Sequence, residues 1–149
     1  MPRTPRPFSC KVLTLGRQFY AGDVIGAEFP ALDGMVGVLA QRAPMVSLLG
    51  YGPLSLQTPQ GPPQEFFVAG GFAQVRQNTM TILSFECERL DEIDPEEAYD
   101  RIEQAMRLPR QPPDAAQRRQ WALKLARARF NLVQEHRRRK GLAVVGFHD

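Results

Sequence analysis

Long hydrophobic runs are missing from this sequence of 149 residues, although 43% of its residues are hydrophobic. No stretch of about 18 consecutive apolar residues occurs, so the sequence predicts no membrane-spanning helix. The first seven residues carry positive charge, but no apolar segment follows them, which argues against a secretory signal. We therefore expect a cytosolic protein with enough apolar residues to build a core.

Cysteine and histidine are also scarce, with two residues of each. Cys10 and Cys87 lie far apart in the sequence, so we expect buried free thiols rather than a disulfide. Neither His136 nor His148 stands in a pattern typical of a catalytic site, and no phosphate-binding loop or metal-ligand spacing occurs. The sequence thus predicts no catalytic residue and no metal site, and we do not expect an enzyme.

Charge is unevenly distributed along the chain, although its formal net value is only +3. Residues 86–106 contain nine acidic and two basic residues, a net charge of −7. Residues 114–140 contain nine basic and two acidic residues, a net charge of +7. The composition therefore divides the chain near residue 90.

Residues 8–88 have the pattern of short strands. Gly70-Gly71, between two apolar segments, indicates a bulge or a close backbone approach. Turns are expected at residues 21–23, 50–53, 59–63 and 77–78, where glycine, proline, asparagine and aspartate occur. We predict a β-sandwich over residues 8–89. The apolar residues that recur with a period of two are Phe8, Cys10 and Val12, then Ile25, Ala27 and Phe29, then Leu54 and Leu56.

The spacing of the apolar residues along the sequence changes after Arg89. Asp94 can cap a helix that has Pro95 at its first position, and a second helix can start with Asp114 as its cap. The helices are expected over about 95–106 and 114–140, as a hairpin within residues 90–140, with tails at 1–7 and 141–149. The fold class is therefore an all-β sandwich N-terminal domain followed by a C-terminal α-helical hairpin. The apolar stripe expected on the second helix consists of Trp121, Leu125, Ala128 and Leu132, widened by Ala122 and Val133.

The order of four short sequence features is informative about the family of this chain. The first is a loop with the sequence Gly34-Met35-Val36-Gly37-Val38-Leu39, followed by Ala43-Pro44. The second is a pair of strand segments with the sequence Phe67-Val68-Ala69-Gly70-Gly71-Phe72, followed by Val75. Thr81-Ile82-Leu83 and Ile93-Asp94-x-x-x-Ala98 follow. With these features the chain resembles, over about residues 8–140, the epsilon subunit of bacterial F-type rotary ATP synthases.

This resemblance implies a non-catalytic subunit of the central stalk, which couples rotation of the c-subunit ring to the catalytic head during ATP synthesis from an ion gradient. It implies binding to the gamma subunit and the c ring, one copy per complex, and a peripheral place on the cytoplasmic face of the bacterial inner membrane. The helix pair would be regulatory. Folded on the sandwich it would permit rotation, whereas extended along gamma it would meet the alpha and beta subunits and inhibit ATP hydrolysis.

The resemblance also assigns partner-binding residues. Asp33, Gly34 and Met35 occupy the loop that meets the c ring, and Arg42 stands at the gamma contact, where the family usually has histidine. Met35 could instead fill the edge of its own core, and Arg42 could be a solvated turn residue.

The second helix is expected to carry regulatory contacts. Extended, its basic side chains would face acidic segments of the catalytic subunits; compact, they would lie along the acidic first helix. A plainer alternative is a solvated helix that docks its apolar stripe on the sandwich. The basic residues assigned to these contacts are Arg118, Arg119, Lys124, Arg127 and Arg129.

Some family members bind ATP between the helices through an (Ile/Leu)-Asp-x-x-Arg-Ala opening. Here Glu97 replaces the arginine, and a carboxylate repels phosphates. We therefore expect no cofactor, with Glu88 and Asp94 as the residues that could still reach a ribose or base.

A function of another class stays open at this point. Residues 137–140, three arginines and a lysine, could belong to a β-sandwich adaptor whose basic helix binds nucleic acid or an anionic membrane surface. No aromatic residues are interleaved with them, so no nucleic-acid partner is expected. Residues 141–147 extend beyond the usual end of the family, and docking on an apolar surface is the expectation for them.

Overall fold

The computed structural model describes residues 5–146, and its contacts divide the chain after Arg89 into a β unit and a helical unit. Within these residues the β unit has eight strands and the helical unit two α-helices, so the predicted class, a sandwich followed by a helical hairpin, is confirmed. The strands are β1 (Phe8–Leu13), β2 (Gln18–Val24), β3 (Gly26–Ala31), β4 (Gly34–Val38), β5 (Met45–Leu48), β6 (Tyr51–Gln57), β7 (Gln64–Arg76) and β8 (Thr79–Arg89).

The strands pair in the order β2-β1-β8-β7-β6-β3-β4, and β5 also pairs with β7. All pairs are antiparallel except β1 with β8. The core lies between the layers and is filled by the period-two positions that the sequence indicated, such as Phe8, Val12 and Leu56. Both cysteines are free and buried, as expected.

Two of the predicted turns are wrong. Residues 21–23 lie inside β2, where Gly22 pairs with Cys10. Residues 51–53 already belong to β6, where Tyr51 pairs with Ala69. Glycine and aspartate are tolerated in β2 because it is an edge strand that pairs only with β1, so these residues face solvent rather than a packed layer. The turn at residues 77–78 is present, with positive φ at both Gln77 and Asn78.

Gly70 and Gly71 let β7 change partners along its length. Before this point β7 pairs with β6, and from Phe72 onwards it pairs with β5. Gly71 has φ +116, and a Cβ placed there would lie 2.0 Å from the carbonyl oxygen of Leu83. The close backbone approach predicted from the sequence therefore exists, and only glycine fits it.

The helical unit begins with a 3₁₀ turn, Leu90–Glu92, and continues with α1 (Pro95–Met106) and α2 (Pro113–Arg139). The Asp94 carboxylate accepts a hydrogen bond from the Glu96 amide and caps α1, as predicted. Asp114 does not cap α2, because Pro113 takes the first helical position and places Asp114 within the first turn.

The expected apolar stripe of α2 is wrong in part. Val133, which the stripe included, is buried, but Trp121 is 53% exposed, and Leu123 and Phe130, which the stripe left out, are buried. The Phe130 ring lies against the Tyr99 ring of α1, with centroids 5.7 Å apart. The face that α2 buries is therefore rotated from the one that was predicted.

Candidate partner-binding surfaces

The hairpin of β3 and β4 presents the residues that were assigned to the c ring. Leu32 and Asp33 form its turn, and Gly34 follows with φ +135, a conformation that suits glycine. Met35 is 51% exposed, so it does not fill a core. Five backbone pairs hold β3 to β4, which gives this hairpin tip, residues 32–35, a fixed base.

Arg42 lies in the loop between β4 and β5 and is exposed. Its Nη1 donates a hydrogen bond of 2.9 Å to the carbonyl oxygen of Gly37, so the side chain folds back on β4. Gln41, beside it, has φ +64, and its backbone N–H donates a hydrogen bond to Oδ1 of Asn78. The structure thus places Arg42 against β4 rather than at the hairpin tip. Gly37 pairs regularly with Glu28 and forms no bulge.

A groove of about 550 Å³ runs beside Arg42 along β3, β4 and β6. Leu39, which is 68% exposed, lines it, and Glu28 adds a carboxylate. Neither Leu39 nor Leu32, which is exposed at the hairpin tip, is among the residues predicted to bind a partner. The available signal was a large apolar side chain in a turn or loop, next to a strand, where polar residues are usual.

In the helical unit, Arg129 and Glu97 form an ion pair whose arginine is buried. The Arg129 side chain reaches α1, with Nη1 2.8 Å from Oε2 and Nη2 3.3 Å from Oε1 of Glu97. Arg129 is 4% exposed, and Arg101 contacts the same carboxylate at 2.7 Å. Burial raises the pKa of Glu97, but the hydrogen bonds and charges of Arg129 and Arg101 outweigh this and hold it below its ordinary value.

A second ionic cluster connects the end of α2 to the 3₁₀ turn. Nε2 of His136 lies 2.6 Å from Oδ1 of Asp91, and Nζ of Lys140 donates to the same oxygen at 2.8 Å. The hydrogen bonds from Lys140 and His136 lower the pKa of Asp91. The acidic and basic segments of the chain therefore do meet within the hairpin, through specific pairs.

The five basic residues assigned to α2 have different environments. Lys124 and Arg127 are exposed, and Arg118 is an exposed partner of Asp114 at 3.5 Å. Arg119 donates to the carbonyl oxygen of Met106, at the end of α1. Arg129 is buried against Glu97, as described above, which corresponds to the compact arrangement.

The two residues considered for a nucleotide lie in different units. Glu88 is a half-buried residue of β8, and Asp94 is the cap of α1. The carboxylate of Glu97, where the resemblance implied an arginine for nucleotide binding, forms ion pairs with two arginines of the hairpin itself, Arg101 and Arg129.

Comparisons with known proteins place the chain in a family. The family model described as "ATP synthase, Delta/Epsilon chain, beta-sandwich domain" matches residues 7–90. The chain belongs to the ATP synthase delta/epsilon family. Such a subunit is a non-catalytic component of the stalk, so the assignment as a stalk subunit rather than an enzyme is confirmed, and the nucleic-acid adaptor is not favoured.

Relatives extend this match across both units. The ATP synthase epsilon chain of Rhodopirellula baltica is 37% identical over 81% of this chain and 94% of its own length. That of Caldicellulosiruptor saccharolyticus is 35% identical over 87% of this chain and 96% of its own length. The family likeness therefore includes the hairpin as well as the sandwich.

A solved structure has the same fold. A chain of the mitochondrial ATP synthase of Euglena gracilis superposes with a TM-score of 0.74, at 22% identity, over 85% of this chain and 81% of that chain. As part of this family, the protein is a subunit of a membrane-associated complex. Within residues 5–146, neither helix has the length and apolar character needed to cross a bilayer. The same residues contain no cluster of side chains suited to a metal ion.

Proposed function

We propose that this epsilon-family chain couples rotation of the c ring to the catalytic head of an F-type ATP synthase, with the β unit as its docking body and the helical unit as its regulatory part. Its partners are the gamma subunit and the c ring, and transiently the alpha and beta subunits, with one copy in each complex. Its location is the cytoplasmic face of a bacterial inner membrane.

The observation that carries this proposal is the exposed apolar surface of the hairpin of β3 and β4. Leu32 and Met35 at the hairpin tip and Leu39, which follows β4 beside the groove, are each more than half exposed and form apolar surface outside the core. Apolar residues fixed on a rigid hairpin suit a protein interface, because little conformational entropy is lost on binding.

The two parts of this surface suit two partners. We assign the hairpin tip to the c ring, where Met35 offers an adaptable apolar contact. We assign the groove beside Arg42 to gamma, because a guanidinium held against β4 presents its remaining donors to a partner.

The helical hairpin of α1 and α2 also argues against a nucleotide-binding site. A phosphate near Glu97 would meet a carboxylate, and the neighbouring arginines already neutralise that carboxylate. We therefore propose that this copy regulates without binding ATP between its helices. Isothermal titration with ATP should give no binding heat, and saturable binding would contradict this proposal.

Reconstitution with gamma and the c ring tests the docking role. Met35→Asp should weaken binding to the c ring, and Arg42→Ala should weaken binding to gamma. Each affinity should fall by about tenfold or more if these residues are interface anchors. Gln60→Asp, at the exposed loop between β6 and β7, adds the same charge as Met35→Asp outside the proposed surface and serves as the control. Equal affinities for all three variants and the parent would exclude this surface.

Truncation after Pro109 tests the regulatory role. The shortened chain keeps the β unit and α1, so assembly and ATP synthesis should persist while ATP hydrolysis by the complex rises. Unchanged hydrolysis would show that α2 is not an inhibitor here. Binding to polyanions with a steep salt dependence, in place of gamma, would instead support the adaptor function.

A further inference from the structure

The end of α2 reverses the chain direction through a defined turn. Gly141 has φ +71, its amide donates to the carbonyl oxygen of Arg138, and the amide of Leu142 donates to that of Arg137. This is the hydrogen-bond pattern of a Schellman motif with glycine in the left-handed conformation. The returning segment, residues 142–146, therefore runs back beside the last turns of α2.

Two side chains of α2 then hold this segment. Nε2 of Gln134 donates to the carbonyl oxygen of Val145 at 2.9 Å, and Oε1 of Gln134 accepts from the amide of Val145 at 3.0 Å. Nε of Arg137 donates to the carbonyl oxygen of Ala143 at 2.6 Å. Gln134 is buried, so its amide group would be left unsatisfied without Val145.

This mode of attachment differs from the expected docking on an apolar surface. Leu142 and Val144 keep large exposed fractions, and the specific contacts are made by backbone groups of residues 142–146. Residues 147–149 lie outside the described part of the chain. Because the amide of Gln134 matches a backbone donor and acceptor at once, it fixes the position of the segment rather than merely covering it.

The same end of α2 is attached to the start of the helical unit. Asp91, in the 3₁₀ turn, contacts both His136 and Lys140. The returning segment and residues 91–96 also line one groove of about 640 Å³, with Arg137 in its wall. The last turns of α2 thus bond to the returning segment through Gln134 and Arg137, and to the 3₁₀ turn through Asp91.

We infer that residues 141–146, held on α2 by Gln134 and Arg137, keep its last turns ordered so that His136 and Lys140 reach Asp91, and that this arrangement acts as a latch that holds the C-terminal end of α2 beside the 3₁₀ turn and restrains the hairpin from opening. The latch makes opening a local transition with its own free-energy cost. Its two components, the returning segment and the Asp91 cluster, can be removed separately and in combination.

Hydrogen exchange on the full chain tests the latch without any partner. Gln134→Met keeps the side-chain length but removes both bonds to Val145, and truncation after Leu142 leaves every residue of α2 intact. Each change should raise amide exchange across residues 130–140 about tenfold or more, because Gln134→Met removes two hydrogen bonds and the truncation removes three. Gln120→Met, at an exposed position of the same helix, is the matched control and should change nothing.

The outcomes separate the explanations. Exchange within about twofold of the parent after truncation would overturn the latch, even if Gln134→Met alone loosened α2, because Gln134 would then act through packing. Asp91→Ala should accelerate exchange further in the truncated chain, whereas Glu92→Ala, which removes the same charge one residue away, should not. Protection of residues 66–75 in the β unit should stay unchanged throughout.

The regulatory consequence rests on the function proposed above. If the opened hairpin inhibits the complex, loss of the latch should lower ATP hydrolysis, the opposite sign from truncation after Pro109. Faster exchange with hydrolysis unchanged in both truncations would support the latch and contradict the inhibitory role. Unchanged exchange would overturn the latch whatever hydrolysis shows.

Discussion

Among the described residues, the β unit fully buries one polar side chain, Ser84, whereas the helical unit buries three, Arg129, Gln134 and His136. Ser84 donates to the carbonyl oxygen of Gly70 within its own sheet. The three buried polar side chains of the helical unit meet partners from other elements, among them Glu97 of α1. One unit is therefore stabilised chiefly by apolar packing and the other also by specific polar contacts.

This difference has a physical consequence for regulation. Apolar burial depends little on pH or salt, so the β unit suits a docking body that must stay the same through every rotation. Removing charges from water offsets much of what an ion pair contributes, so pairs such as Arg129 with Glu97 add specificity more than stability. A hairpin held in this way can be closed in one arrangement and still open at modest cost.

The largest effect should come from the β unit at Gly71. Gly71→Ala combines an unfavourable positive φ with a contact of 2.0 Å to the Leu83 carbonyl oxygen, so the free energy of unfolding should fall by about 2–6 kcal/mol. Urea unfolding followed by circular dichroism measures this loss. Gly16→Ala, where an added Cβ meets nothing within 4 Å, is the control and should be close to neutral.

The helical unit should lose less when its buried cation is removed. Arg129→Met abolishes the contacts to Glu97, but Glu97 is 42% exposed and keeps Arg101, so about 1–2 kcal/mol of local stability should be lost. Trp121, the single tryptophan, lies in α2 and reports on it by fluorescence. Arg127→Met, an exposed change on the same helix, should leave the signal unaltered.

The β unit and the helical unit also differ in how much of each could be predicted from the sequence. Alternation located Phe8, Cys10 and Val12 because a strand buries every second residue whatever its neighbour is. On α2, two stripes have helical spacing, and only packing against Tyr99 selects the one with Phe130 over the one with Trp121. The partners of Gln134 and His136 are distant in sequence, so no local pattern could indicate them.

The two units should respond to acid at different pH values. The pKa values of Asp91 and Glu97 are lowered from their ordinary values of 3.8 and 4.5, so the stability that these carboxylates add is present at neutral pH. That stability is lost as the pH falls below about 4.5 and through the lowered pKa values. The fluorescence of Trp121 should therefore change at a higher pH than the β-sheet signal. Coincident acid transitions of the two signals would contradict this expectation.

The smallest effects should come from two aspartates that look alike in the sequence. Asp94 accepts a hydrogen bond from the Glu96 amide, so Asp94→Ala should destabilise α1 by about 1 kcal/mol. Asp114 caps nothing and pairs with Arg118 at an exposed site, so Asp114→Ala should cost only about 0.3–0.5 kcal/mol. Local exchange rates of the first turn of each helix measure both. Equal losses would mean that Asp114 takes up the capping role in solution, since an exposed ion pair contributes less than a cap hydrogen bond.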